Sequence, residues 1–212
     1  MKVTSKETPK KIKYTYIENN SKTICFMLSG SNYLYDKPLM YYSKMEMLQN
    51  NFDVVQVHYS YEPTLFEKDV EYFRNVIIEE VDSVIEEVLA TREYKEIIFL
   101  GKSLGTIPIS FKYANNNTSQ NTKLVLFTPL LKIDGLYENI MRSSNEILMI
   151  IGTNDGHYEP NKIREIQMKP NFTLIEIARA NHSLDVEPIN TTESLKAMTK
   201  VNDALHYFII NE

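Results

Sequence analysis

Short runs of nearly unbroken apolar residues recur along the chain: "TICFMLSG" (Thr23–Gly30), "EIIFLG" (Glu96–Gly101), "KLVLFTP" (Lys123–Pro129) and "ILMIIG" (Ile147–Gly152). Runs of this length without polar alternation suit parallel strands covered on both faces. "KIKYTYI" (Lys11–Ile17), "DVVQVHYSY" (Asp53–Tyr61) and "FTLIEIA" (Phe172–Ala178) add further strands, the first of them at an edge or early in the sheet. Between the strands the period changes. "PLMYYSKMEMLQ" (Pro38–Gln49) reads as a helix with Pro38 at its first position. In Asp69–Tyr94, residues Val70, Phe73, Ile77, Val81, Val84 and Val88 recur at three- and four-residue intervals with acids between them. Leu104–Ala114 is expected to be helical, "LLKIDGLYENIMRSSN" must hold a loop and a helix, and Asn190–Ile209 carries Leu195, Met198, Val201, Leu205 and Phe208 on one stripe.

Alternating strands and helices imply right-handed βαβ units. The expected fold class is therefore α/β, a mostly parallel central sheet with helices on both faces. Residues 1–212 read as one domain, with residues 1–10, and "KETPKK" within and just beyond them, as a frayed terminus. "ANNNTSQNT" reads as an exposed polar loop.

Charge and cysteine content narrow the function classes. The net charge of −5 gives no electrostatic support to nucleic-acid binding. The single cysteine, Cys25, excludes an intrachain disulfide and fits a reducing compartment. Cys25 falls mid-strand, where packing is its expected role. No apolar run reaches the length of a membrane span, and no apolar signal core follows the basic start "MKVTSKETPKK". A cytoplasmic protein without nucleic-acid or membrane partners is expected. No His, Cys or carboxylate spacing points to a metal, and no glycine fingerprint to a dinucleotide, so no cofactor is expected.

The chain has six glycines, and two of them flank Ser103 in "GKSLG". A phosphate-binding loop would need a glycine where Glu96 stands, inside the strand. What remains is a serine on a tight turn between a buried strand and a helix, with small neighbours that relieve crowding. A helix N-terminus beneath such a serine favours developing negative charge. A serine hydroxyl needs a base. "IIGTNDGHYEP" places Asp155 just beyond one strand, and "IARANHSLD" places His182 just beyond the last, each at the carboxyl end where open α/β sheets put their sites. Of the other histidines, His58 lies in a strand and His206 in the last helix, which makes both structural. His157 sits too close in sequence to Asp155 to approach Ser103 from the far side. Asp185 competes with Asp155 as the acid.

On "GKSLG", "GTNDGHY", "ANHSL" and "LSGSNYLYDKP", the chain resembles the α/β-hydrolase superfamily over nearly its whole length. More narrowly, it is similar to small lidless bacterial hydrolases of the dienelactone-hydrolase-like or KANL-like kind. It departs from many members in carrying Ser29-Gly30 where they have His-Gly, and from dienelactone hydrolases proper in holding serine rather than cysteine at the elbow. The resemblance implies an α/β-hydrolase fold without a cap, and a Ser103–His182–Asp155 triad. It also implies an oxyanion hole formed by the amide of Leu104 and one near Ser31, with Asn32 or Tyr33 as alternatives to Ser31. The implied reaction is hydrolysis of a small-molecule carboxylic ester or thioester; a peptidase or amidase, or a non-catalytic binding protein of the same fold, are the alternatives. Asn32, Tyr33 and Tyr158 are the expected substrate contacts, with Glu62 and His157 as further polar candidates. The sequence leaves the oligomeric state open.

Overall fold

The computed structural model describes residues 1–65, 67–116 and 121–210. Among the described residues, eight strands form one sheet in the order β1-β2-β4-β3-β5-β6-β7-β8. The strands are β1 (Lys2–Glu7), β2 (Lys13–Glu18), β3 (Thr23–Leu28), β4 (Asp53–His58), β5 (Glu96–Lys102), β6 (Asn121–Phe127), β7 (Glu146–Gly152) and β8 (Phe172–Ile177). From β4 to β8 neighbours are parallel, while β1 and β2 run antiparallel at one edge. The helices are α1 (Pro38–Gln49), α2 (Val70–Thr91), α3 (Thr106–Pro108), α4 (Leu136–Arg142), α5 (Pro160–Gln167) and α6 (Thr191–Ile210).

The continuous apolar runs form the centre of the sheet because both of their faces are covered. Side chains alternate between the two faces of a strand. Phe26, Leu28, Ile97, Phe99, Leu124 and Leu126 therefore join one core with the buried stripes of α2 and α5. Their sequence neighbours Cys25, Met27, Ile98, Leu100, Val125 and Phe127 join a second core with α1 and α6. The α2 stripe is the one that the spacing predicts except at its first residue: Phe73, Ile77, Val81, Val84 and Val88 are buried, whereas Val70, in the first turn, is exposed. Asp69 starts that helix by accepting the amides of Glu71 (3.0 Å) and Tyr72 (3.3 Å), donors that would otherwise lack partners in the first turn.

Several expectations need correction. Residues 2–7, read as part of a frayed terminus, form β1 and pair along their length with β2. Their side chains are almost all exposed, so no apolar pattern marks them. The segment 104–114 is not a regular α-helix. It opens with a tight 3₁₀ turn (Ser103–Gly105), passes through α3 and ends in a wide π turn (Ile109–Tyr113), closed by the Ala114 amide on the Ile109 carbonyl at 2.7 Å. Pro108 offers no amide hydrogen to this ladder. α5 was not anticipated; its two buried residues, Ile163 and Ile166, make too short a stripe to read. In the polar loop 114–122, residues 117–120 lie outside the described residues.

Away from the site, one buried carboxylate organises the amino-terminal ends of the strands. Asp53, fully buried at the start of β4, accepts the amides of Asn19 (2.7 Å) and Ser21 (3.1 Å) and the hydroxyl of Tyr94 (2.8 Å), with Arg92 at 3.4 Å. It ties the turn before β3 to the end of α2.

Candidate active site

β5, β7 and β8 are parallel, so the loops leaving them emerge on one edge of the sheet. Ser103 follows β5 directly and has a φ of 52°, a left-handed conformation that few non-glycine residues adopt. The turn is held by Thr106, whose hydroxyl donates to the Ser103 carbonyl at 2.6 Å. It is also pressed onto the sheet: a Cβ on Gly105 would stand 2.1 Å from the Leu28 carbonyl oxygen. Only glycine allows that approach, so "GKSLG" is a packing requirement as well as a turn.

The loop after β7 carries Asp155 and the loop after β8 carries His182. They meet because Gly152 lets the later loop cross it; a Cβ there would lie 2.1 Å from the Ala180 carbonyl oxygen. Nε2 of His182 lies 2.8 Å from Ser103 Oγ, and Nδ1 lies 2.8 and 2.9 Å from the two carboxylate oxygens of Asp155. The Asp155 side chain is fully buried, whereas that of His182 is 35% exposed. Burial pushes the Asp155 carboxyl up, but the hydrogen bonds from His182 and from the His157 amide (2.9 Å), with the charge of the two histidines, outweigh it and leave the group below the usual carboxylate range. An ionised carboxylate only accepts, so Nδ1 carries the hydrogen and Nε2 presents its lone pair to the serine hydroxyl. That is the tautomer a general base needs. Asp185, the competing acid, is exposed and contributes its backbone to the turn that presents His182: its carbonyl accepts the Asn181 amide at 2.9 Å.

The loop after β3 completes the surroundings. Gly30 is buried against the elbow; a Cβ on it would lie 3.5 Å from Ser103 Cβ. Ser31 and Asn32 follow, both exposed. Leu104, the second residue of the 3₁₀ turn, has an amide with no acceptor within that turn.

A model of the family described as alpha/beta hydrolase domain matches residues 24–210. The chain belongs to the α/β-hydrolase family. In fold this hydrolase is similar to Est1E from Butyrivibrio proteoclasticus, with a TM-score of 0.71 at 11% identity over 99% of this chain and 98% of that one. It is similar to the Pyrococcus furiosus esterase Pf2001, with a TM-score of 0.68 at 13% identity over 98% and 92% of the two chains. It is also similar to XC6422 from Xanthomonas campestris, described as a serine hydrolase without a lid, with a TM-score of 0.68 at 12% identity over 98% and 93%. No curated protein matches the chain in sequence.

The hydrolase has no cap: among the described residues, 128–145 between β6 and β7 contain only the seven-residue α4. The hydroxyls of the expected pocket walls have partners within the fold. The Tyr33 hydroxyl accepts the Leu39 amide at 3.3 Å, inside the first turn of α1. The Tyr158 hydroxyl donates to Glu176 at 2.5 Å, on β8. Glu62 is exposed beyond β4, and its carbonyl closes a turn with Leu65. His157 does reach the site, with its ring centroid 5.6 Å from that of His182; burial lowers its pKa, and its Nδ1 is buried without a partner among the described residues. His58 bonds Thr15 and His206 bonds Glu46, as their places in a strand and a helix imply. Cys25 is fully buried, and burial pushes its thiol up, away from reactivity.

Two residues at this edge escaped the sequence reading. Thr128, fully buried, follows β6 with a φ of 44°, on the strand next to Ser103. Lys102, between Gly101 and Ser103, is only 2% exposed. A lysine at the end of a strand gives no sign of burial, and its neighbours are known only from the fold. Among the described residues, no group of three or more His, Cys, Asp or Glu is placed to hold a metal ion, and no helix is long and apolar enough to cross a membrane.

Proposed function

We propose that the protein is a serine hydrolase that cleaves a small-molecule carboxylic ester or thioester through Ser103, His182 and Asp155. The observation that carries this reading is the continuous relay from Ser103 Oγ through both imidazole nitrogens to a buried, ionised carboxylate.

The chemistry follows from the hydrogen positions. Ser103 Oγ attacks the substrate carbonyl carbon while Nε2 takes the hydroxyl proton. The carbonyl electron pair moves to oxygen, and the amides of Leu104 and Ser31 receive the oxyanion. Asp155 stabilises the imidazolium and holds its plane. Collapse breaks the bond to the leaving alcohol or thiol, which takes the proton from Nε2 and leaves an acyl-serine. Water, deprotonated by Nε2, reverses the sequence and releases the acid. The serine proton departs on the leaving alcohol or thiol and a proton from water replaces it, so each turnover restores Ser103 and His182 and the cycle needs no cofactor. Because Ser103 lies on an uncapped edge, the substrate is one that binds at an open surface, with Asn32, His157 and Tyr33 as its neighbours. The single, buried cysteine supports a reducing compartment such as the cytoplasm.

The test is covalent. An alkyl fluorophosphonate should label the wild-type protein stoichiometrically at Ser103, and Ser103→Ala should neither be labelled nor hydrolyse p-nitrophenyl or acyl-thioester substrates. A wild-type protein that resists the probe and leaves short and medium acyl esters intact would return the fold to a binding role.

A further inference from the structure

We propose that Lys102 is a positioning residue of this site: its buried ammonium is a strut that fixes the histidine loop to the nucleophile strand. The inference rests on the serine-hydrolase reading above for its catalytic consequence, but not for the strut itself.

Lysine is almost never fully buried unless it is paired. Here the partners are not those of a packing ion pair. Nζ donates to the backbone carbonyl of His182 at 3.0 Å. It also lies 5.0 Å from the centroid of the Tyr33 ring. Its stem runs against the loop after β3, since a Cβ on Gly30 would stand 3.2 Å from Lys102 Cδ. One side chain thus touches the loops after β3 and β8 from the end of β5, directly beside the nucleophile. A methionine would fill the same space without desolvating a charge, so packing alone does not account for lysine.

Burial pushes the ammonium down to about 8, against the opposing pull of Asp155. The titratable groups that face it are Asp155 and His157 from the β7–α5 loop, His182 beyond β8 and Tyr33 beyond β3, with Asp185 acting on Tyr33. Asp155 is held low and stays ionised. Burial lowers His157, which is neutral in this range, and raises Tyr33, which also stays neutral. Above neutrality, the charge that changes first is therefore that of Lys102. An ammonium–carbonyl hydrogen bond is about twice as strong as a neutral one. Loss of the proton slackens the strut, and the imidazole loses its fixed distance to Ser103.

The experiment follows the strut and the chemistry separately, in the wild type, Lys102→Met and Lys102→Arg, from pH 6 to 10. Lysine labelled at Cε gives an NMR resonance that titrates near pH 8 in the wild type and is missing in both variants. Amide exchange of Ser183–Asp185, corrected for its intrinsic pH dependence, rises through that same titration in the wild type. It is already fast at pH 7 in Lys102→Met and stays slow throughout in Lys102→Arg. Fluorophosphonate inactivation falls about five- to tenfold through the titration in the wild type, is low and flat in Lys102→Met, and is retained without an alkaline fall in Lys102→Arg. Exchange and inactivation in Lys102→Met that match the wild type at every pH would overturn the proposal. So would wild-type loop exchange indifferent to the titration, which decides the matter even if the variants do not fold. Absence of labelling at Ser103 with exchange behaving as expected would instead remove the hydrolase reading and leave the strut.

Discussion

Gly105→Ala is a demanding test of how the nucleophile is placed. An ideal Cβ at Gly105 stands 2.1 Å from the Leu28 carbonyl oxygen and 2.6 Å from its carbon. Carbon–oxygen contacts settle at about 3.3 Å, so the turn and β3 must part by about 1 Å. Both obstacles are backbone, and no rotamer change relieves them. Overpacking of this kind costs about 1–3 kcal/mol, or about 2–4 °C of melting temperature per kcal/mol in a chain of this size. The kinetic effect is larger. Ser103 lies two residues upstream, with Oγ 2.8 Å from His182 Nε2. A misplacement of about 1 Å at a reacting atom costs on the order of 10²-fold in rate. The assay is the second-order rate of fluorophosphonate inactivation, with thermal melts alongside. Gly156→Ala is the control, since a Cβ there meets nothing within 4 Å; its stability should change by less than about 0.5 kcal/mol and its rate little. A Gly105→Ala protein with wild-type inactivation and melting would refute the claim that close approach to Leu28 sets the nucleophile.

The same geometry fixes other outcomes. Ser103→Ala and His182→Ala should each remove most of the rate, and the double variant should be little worse than either, because the groups act as a unit; multiplicative losses in steady-state ester hydrolysis would deny the relay. Asp155→Asn should lose less than either, as it mis-orients the base without deleting it. Asp155 has a folded pKa below its ordinary value. Its contribution to stability is therefore complete above about pH 4 and is lost as pH falls through the lower folded value; urea melts at pH 5 and pH 3 should show a smaller acid loss in Asp155→Asn than in the wild type. Asp53→Ala should destabilise by about 3–5 kcal/mol, removing the shared acceptor of two amides and the buried Tyr94 hydroxyl, while a fluorophosphonate still labels Ser103 in the folded fraction.

What the sequence disclosed and what it withheld have a common physical cause. The central strands were legible because burial on both faces leaves no room for polar residues, as in Ile24–Leu28 and Ile147–Ile151. Ser103, Asp155 and His182 were placed correctly at strand ends because a parallel sheet sends all such ends to one edge. β1 was not legible: its residues are exposed on both faces, and only pairing with β2 makes them a strand. The hydroxyl partners of the tyrosines were not legible, because a phenol offers no clue to where its hydroxyl will bond. Tyr158 turns to Glu176 and Tyr33 to the Leu39 amide, partners set by the packing of helices against the sheet. Lys102 was overlooked for the same reason, since its burial comes from loops remote in sequence.

The two ends of the relay are mounted on unequal foundations. Ser103 stands on β5, flanked by β3 and β6, whereas His182 follows β8, the last strand of the sheet, with a neighbour on one side only and mostly half-buried side chains. Edge elements open at lower free energy than central ones. Under mild denaturant the base should therefore detach while the nucleophile stays seated, so that the protein falls silent before it melts. Silence of that kind is reversible on dilution. It makes hydrolysis a gauge of how firmly one border strand is seated rather than of whether the molecule is folded.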